Sequence, residues 1–182
     1  MEFTAFPKIA RLNRECVITE KIDGTNASIM IDEDGVMMAG SRTRWITPQE
    51  DNFGFAKWVE ANKPELIKLG VGHHFGEWWG SGIQRGYGLQ KGEKRFSLFN
   101  VAKWSDDAIR PACCLVTPVL YRGLFSTDAV ELSLEALRGN GSQAAPGFQK
   151  PEGIIIWHEA ARQMFKVTLE KDSEPKSISA AA

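Results

Sequence analysis

The chain has 182 residues, of which 43% are hydrophobic and 25% charged, with a net charge of −1. These values suit one soluble globular domain with a sizeable core. They exclude a protein that coats nucleic acid by bulk charge, and no apolar run reaches the roughly 18 residues a membrane span needs.

The N-terminus, MEFTAFPKIARLNRE, carries no apolar leader segment. Cys16, Cys113 and Cys114 form neither a disulfide framework nor a CxxC metal spacing, which fits a reducing, cytoplasmic setting. Cys16–Ile22 reads as a buried strand. Ala27–Ile31 and Val36–Gly40 read as a hairpin across Asp34-Gly35. Phe55, Trp58 and Val59 give helical spacing over 53–62. Pro64–Leu69 reads as a second short helix, stopped by Gly70. His74–Trp79 is a strand, followed by the glycine-rich loop 80–92. Arg95–Trp104 alternates as a strand, and Cys114–Tyr121 is another with Pro118 at an edge or bend. Ser126 or Thr127 caps a helix to Leu137, closed by Arg138-Gly139. Ser142–Gln149 is a polar loop, and Gly153–Trp157 and Gln163–Leu169 close the domain as strands. The expected fold is α+β, built on antiparallel sheets, with a domain over 1–172 and a tail over 173–182.

The stretch EKIDGTN, residues 20–26, sets Lys21 at the end of an apolar strand. A strand-end lysine is usually a solvated charge. Here the preceding strand has few polar positions, so the amine lies near the mouth of the core. Desolvation there favours the neutral, nucleophilic amine. Lysine nucleophiles attack carbonyls or phosphoryl groups, and the absence of a βα repeat disfavours a Schiff-base barrel. Arg42 and Arg44 after the hairpin suit a phosphate clamp, or simply an exposed basic turn. Glu77, inside the aromatic run FGEWWG, needs a hydroxyl, cation or metal as partner. Phe96 and Phe99 offer stacking faces, and alternation puts only one of them in a pocket. Glu152 and Gly153 open a very apolar strand, and Lys166 lies within another. His73-His74 points two ways and makes a poor metal pair. Arg85 in the glycine-rich loop suits nucleic acid and solvent equally.

These residues carry a family resemblance. EKIDGTN resembles the KxDG motif of covalent nucleotidyltransferases, the DNA ligases, RNA ligases and capping enzymes. SRT, FGEWWG, RFSLFNV, PEGIII and MFKV follow in the family's order, from Glu20 to Lys166. Glu20, Gly24-Thr25-Asn26, the run Thr47–Gly54 and GSGIQ after the Glu77 motif are similar to the RNA ligases that seal nicks in duplex RNA. The resemblance implies an antiparallel-sheet, ATP-grasp-like nucleotidyltransferase domain with flanking helices; the chain departs from most of the superfamily in length, since the thirteen residues after Leu169 are too few for the OB or helical domain those ligases add, and no OB domain is expected. It implies that Lys21 takes AMP from ATP with Mg²⁺ or Mn²⁺, passes it to a 5′-phosphate RNA end, and that a 3′-hydroxyl then displaces it; DNA-containing duplexes are a further substrate. The short length of the chain suggests a compact genome such as a phage's as its source, with the protein expected to act in the host cytoplasm as a monomer.

The resemblance also implies roles. Glu20 reads the adenine edge, and Ile22 belongs to the nucleotide site. Asp23 and Asn26 order the loop. Arg42 holds the sugar-phosphate region or the 5′-phosphate, joined on nucleic acid by Arg44 and Arg85. Glu77 binds ribose hydroxyl, and Phe99 stacks on adenine. Glu152 holds metal or flanks the nucleophile. Lys166 contacts the α-phosphate and keeps Lys21 uncharged. Thr168 stands where the family has a second lysine, on the face of Lys166; Lys171 has the opposite parity. The competing readings are a minimal DNA ligase or capping-type enzyme, disfavoured by Glu20 and its flanks, and a non-catalytic module that binds ends or nucleotides, supported by Thr168 alone.

Overall fold

In the computed structural model, residues 2–170 are described. The expected tail over 173–182 and Lys171 lie outside them. Two sheets share the chain. The first has four antiparallel strands in the order β10-β9-β1-β8: β1 (Glu15–Lys21), β8 (Val119–Leu124), β9 (Gly153–His158) and β10 (Gln163–Thr168). The second has six in the order β4-β3-β2-β5-β6-β7: β2 (Thr25–Ile31), β3 (Met37–Gly40), β4 (Trp45–Ile46), β5 (Gly72–Gly80), β6 (Lys94–Leu98) and β7 (Leu115–Val116). Among the described residues only the β6–β7 pair is parallel. This is the expected α+β architecture built on antiparallel sheets, and no OB fold occurs among the described residues.

Each sheet buries one face under a helix. On the six-stranded sheet, Ile29, Trp78, Phe96 and Leu98 meet Phe55, Ala56 and Val59 of α1 (Phe55–Leu66). On the four-stranded sheet, Ile18, Ile154 and Ile156 meet Ala129, Leu134 and Leu137 of α3 (Thr127–Asn140). The period-2 alternation of the strands leaves the opposite faces for the cleft.

Several boundaries move for local reasons. Asp32 Oδ1 accepts from the Asp34 and Val36 N–H groups, so the turn takes in Val36 beyond the expected residues 32–35 and β3 starts at Met37. Pro64 falls inside α1 rather than starting a new helix. There it lacks the N–H that would bond the Glu60 carbonyl, so α1 keeps it at the loss of one backbone hydrogen bond near its end. Asp51 accepts from the Ala56 and Lys57 N–H groups and anchors the helix start. The expected strand Arg95–Trp104 stops at Leu98, because Asn100 caps the short helix α2 (Val101–Trp104) by accepting from the Lys103 N–H. Ser126 caps α3, which runs past Gly139 to Asn140 and closes at Gly141.

The sheets are joined twice. Ile22–Gly24 carries the chain from β1 into β2. Thr117-Pro118 carries it back from β7 to β8, so the expected strand Cys114–Tyr121 is split between the two sheets. Lys21 is therefore the last residue of one sheet before the chain crosses to the other.

Candidate active site

The first crossover is pinned from several sides. Gly24 lies so close to β5 that a Cβ there would stand 2.5 Å from the Trp78 carbonyl oxygen and 2.7 Å from the Trp79 Cβ. Only glycine fits this approach. The Asp23 N–H donates to the Tyr87 hydroxyl at 2.8 Å. The Asp23 carboxylate accepts from Arg85 Nε at 3.0 Å, and Arg85 also donates to the Lys150 carbonyl. Ile22 is buried with Trp79, Tyr87 and Ala145, so only its backbone is available to a nucleotide.

Lys21 Nζ lies 2.5 Å from Glu152 Oε2, and both side chains are about four-fifths buried. The pair forms because Lys21 registers opposite Gly153 on β9, which brings the preceding glutamate alongside. Glu77 comes from the other sheet. Its Oε1 accepts from the Gly24 N–H at 3.1 Å, and its Oε2 from Asn26 Nδ2 at 3.2 Å. Asn26 and Glu77 are register partners on β2 and β5. Burial pushes the Glu77 carboxyl up to about 7, against the Asn26 amide, Lys21 and the Gly24 N–H, which hold it down. At neutral pH Glu77 is thus poised between carboxylate and acid, able to accept from or donate to a hydroxyl.

Glu20 points the other way from Lys21. It is 1% exposed. Its Oε1 accepts from the Ser142 hydroxyl at 2.6 Å, and its Oε2 from the Gln143 and Ala144 N–H groups at 2.8 and 2.9 Å. Burial raises its carboxyl; these three bonds oppose the rise. Both oxygens are engaged by loop 142–144. That loop helps line a cavity of about 190 Å³ with Trp79, Ser97, Val116 and Pro118. The carboxylate expected at the adenine edge therefore bears on the cavity through its wall.

Phe96 is buried against Phe55 and Trp58. Phe99 is 38% exposed, and its N–H donates to the Phe75 carbonyl, so it follows Ser97 on the face of Glu77. Lys166 is exposed on edge strand β10, in the row of Ile155 and Thr19 on the face of Lys21. Thr168 lies in the next row, with Gly153 and Lys21, and its hydroxyl donates to the Glu170 carbonyl. Arg42 and Arg44 sit exposed on the β3–β4 turn, outside the Lys21–Glu152–Glu77 cluster. Arg85, expected on nucleic acid, is occupied by Asp23 and Lys150. Tyr87 and the Ser142 loop carried no sequence signal. Their contacts bridge 64 and 122 residues of chain.

Among the described residues no group of three His, Cys, Asp or Glu side chains could hold a metal ion. Glu152 is paired to Lys21, and Glu77 to Asn26 and Gly24. This donor set offers single carboxylates and no cage, which fits a divalent ion brought in largely on substrate phosphates.

No curated protein sequence matches the chain. Solved structures do. An RNA ligase of Naegleria gruberi in its apo form superposes with a TM-score of 0.62 and 18% identity, over 86% of this chain and 50% of that one. A form of the same ligase with AMP and Mn gives 0.61 and 19%, again over 86% and 50%. The form with PPi gives 0.60 and 17% over the same shares. This chain thus spans about half the length of those proteins, and at such identity the likeness is one of fold. The sequence pattern of the RNA ligase family matches residues 14–168, from just before β1 to the end of β10. With Lys21, Glu77 and Glu152 gathered where the two sheets join, the chain belongs to the RNA ligase family.

Proposed function

We propose that this chain is an ATP-dependent ligase of RNA ends that works through a lysyl–AMP bond on Lys21. The observation that carries the reading is the Lys21–Glu152 contact of 2.5 Å beside the buried Glu77. In the first step Lys21 Nζ attacks the α-phosphorus of ATP. The P–N bond forms, the bond from the α-phosphorus to the bridging oxygen breaks, and pyrophosphate leaves. The amine must shed its proton, and Glu152 is the carboxylate in contact with it. A bound divalent ion would supply charge neutralisation on the phosphates.

The chain's own residues supply the rest. Glu77 takes a ribose hydroxyl, with Asn26 and the Gly24 N–H holding its carboxyl in place. Phe99 stacks on adenine, whose slot extends toward the cavity walled by the Glu20-bound loop. Lys166 meets the α-phosphate from β10. Arg42 and Arg44 take the polynucleotide phosphate. AMP then passes to a 5′-phosphate end, and a 3′-hydroxyl displaces it. A second reading rests on Thr168, a hydroxyl in the row of Lys21 where the family pattern has a lysine: a module that binds nucleotides or ends without reacting.

Incubation with α-labelled ATP and Mg²⁺ or Mn²⁺ decides between them. The expected result is a protein-bound label that is acid-labile, alkali-stable and absent from Lys21→Ala. A parent protein that takes no label from ATP would overturn the ligase reading in favour of the binding module.

A further inference from the structure

The cleft face of the six-stranded sheet carries aromatic rings that neither the core nor the nucleotide reading uses. Trp45, His73 and Phe75 are all exposed. They are contiguous: the His73 and Phe75 rings lie 4.0 Å apart, and Trp45 and His73 5.5 Å apart, each pair tilted by less than 40°. The sheet is shaped to hold them. Gly40 registers opposite Trp45, and a Cβ at Gly40 would stand 3.2 Å from the Trp45 ring and 2.5 Å from Ser28 Oγ. The absence of that Cβ lets the indole lie over the strand. On its exposed side the ribbon meets the β3–β4 turn, where Arg42 and Arg44 are exposed. Arg42 makes no hydrogen bond or ion pair among the described residues. On its inner side the ribbon is continuous with the nucleotide site: Phe75 lies opposite Phe99, one row from Asn26 and Glu77.

Burial is the ordinary state of large rings, so an exposed cluster of three marks a surface that binds something. A protein partner would be met by an apolar patch with a mixed polar rim. Here the rings are flanked by two arginines and run into a phosphate-transfer site. That combination of π-faces and cations matches a strand of nucleic acid with its bases unstacked. A duplex keeps its bases stacked inside and offers phosphates, 2′-hydroxyls and groove edges, on none of which the rings can stack.

We propose that Trp45, His73 and Phe75 are a stacking platform for unpaired bases beside the reactive end. Arg42 and Arg44 take the adjoining phosphates, so the end is received as single strand. This deepens the ligase reading and rests on it.

Binding of a 3′-fluorescein, 5′-phosphate single-stranded RNA ten-mer is measured by anisotropy without ATP or divalent ion, beside the same strand annealed into a blunt duplex. Leaving out ATP separates this result from the labelling assay: a protein that takes no label can still bind, and one that labels can still fail to bind. The parent is expected to prefer the single strand. Trp45→Ala and Phe75→Ala should each weaken single-strand binding about fivefold or more, and Trp45→Phe should restore most of it. Arg42→Ala should lower the salt dependence by about one phosphate contact. Thermal melts confirm that each variant is folded. Equal or tighter duplex binding overturns the proposal. So does single-strand affinity unmoved by both ring variants, or a parent dimer that Trp45→Ala dissolves, which would give this face to a second copy.

Discussion

The crossover at Ile22–Gly24 and the hairpin turn at Arg42–Arg44 treat their polar groups in opposite ways. At the crossover the polar groups are answered from within: the Asp23 N–H by Tyr87, its carboxylate by Arg85, the Gly24 N–H by Glu77, and Lys21 by Glu152. At the hairpin the guanidinium groups stand exposed, and the one ion pair, Arg44 with Glu50, is 3.7 Å long and solvent-facing. Such a pair contributes little. The difference separates a part that must hold atoms still from a part left free for a ligand. Changes at the crossover should cost both fold and chemistry. Changes at the hairpin should cost binding alone.

The largest effect expected is at Lys21. Lys21→Ala should reduce covalent labelling to background, and because it leaves the largely buried Glu152 without its cation, the variant should also melt several degrees below the parent; labelling that survives would remove Lys21 as nucleophile. Gly24→Ala comes next. Its Cβ meets the Trp78 carbonyl, so urea unfolding should show a loss of about 3 kcal/mol together with loss of label. A stable, active Gly24→Ala would break the view of the crossover as a rigid element.

Glu77 sharpens the comparison through pH. Its native pKa lies above its unfolded value, so the native state binds the extra proton between about 4.5 and about 7. Stability from this group therefore falls as pH rises through that window, by roughly 3 kcal/mol at most. Glu77→Gln should flatten that slope in denaturant melts across the window. An unchanged slope would assign the pH dependence to other groups, Glu20 first among them. Tyr87→Phe leaves the part-buried Asp23 N–H without its acceptor, at a cost of about 1 kcal/mol, and should slow labelling by loosening the Lys21 loop. The smallest stability effect belongs to Arg42→Ala, within about 0.5 kcal/mol, with labelling by ATP retained and RNA binding weakened.

Much of the site was legible because its residues sit in short local patterns. The KxDG spacing, the isolated Glu77 and the Glu152-Gly153 pair each carry a charge in an apolar run, where only a partner explains it. Parity separated Phe99 from Phe96, and His73 from His74: in each pair one ring is exposed and the other buried. The strand assignment failed past Leu98, where the Asn100 cap outweighed the alternation of the preceding residues. Pro118 was read as an edge or bend. In the structure it is where the chain changes sheets, which needs knowledge of both strand partners.

The sequence by itself determined the alternation of the main strands, the cap at the start of α3, the order of the charged motifs and the family they resemble. Those depend on neighbours within a few residues. Tertiary structure alone decided that Glu20 faces loop 142–144 and that Tyr87 holds the loop after Lys21. It also decided that Lys21 meets a carboxylate 131 residues away, and that three rings from two strands line up on one open face. These are pairings across sheets and loops, and their partners become neighbours only once burial of the two helix-covered faces sets the register.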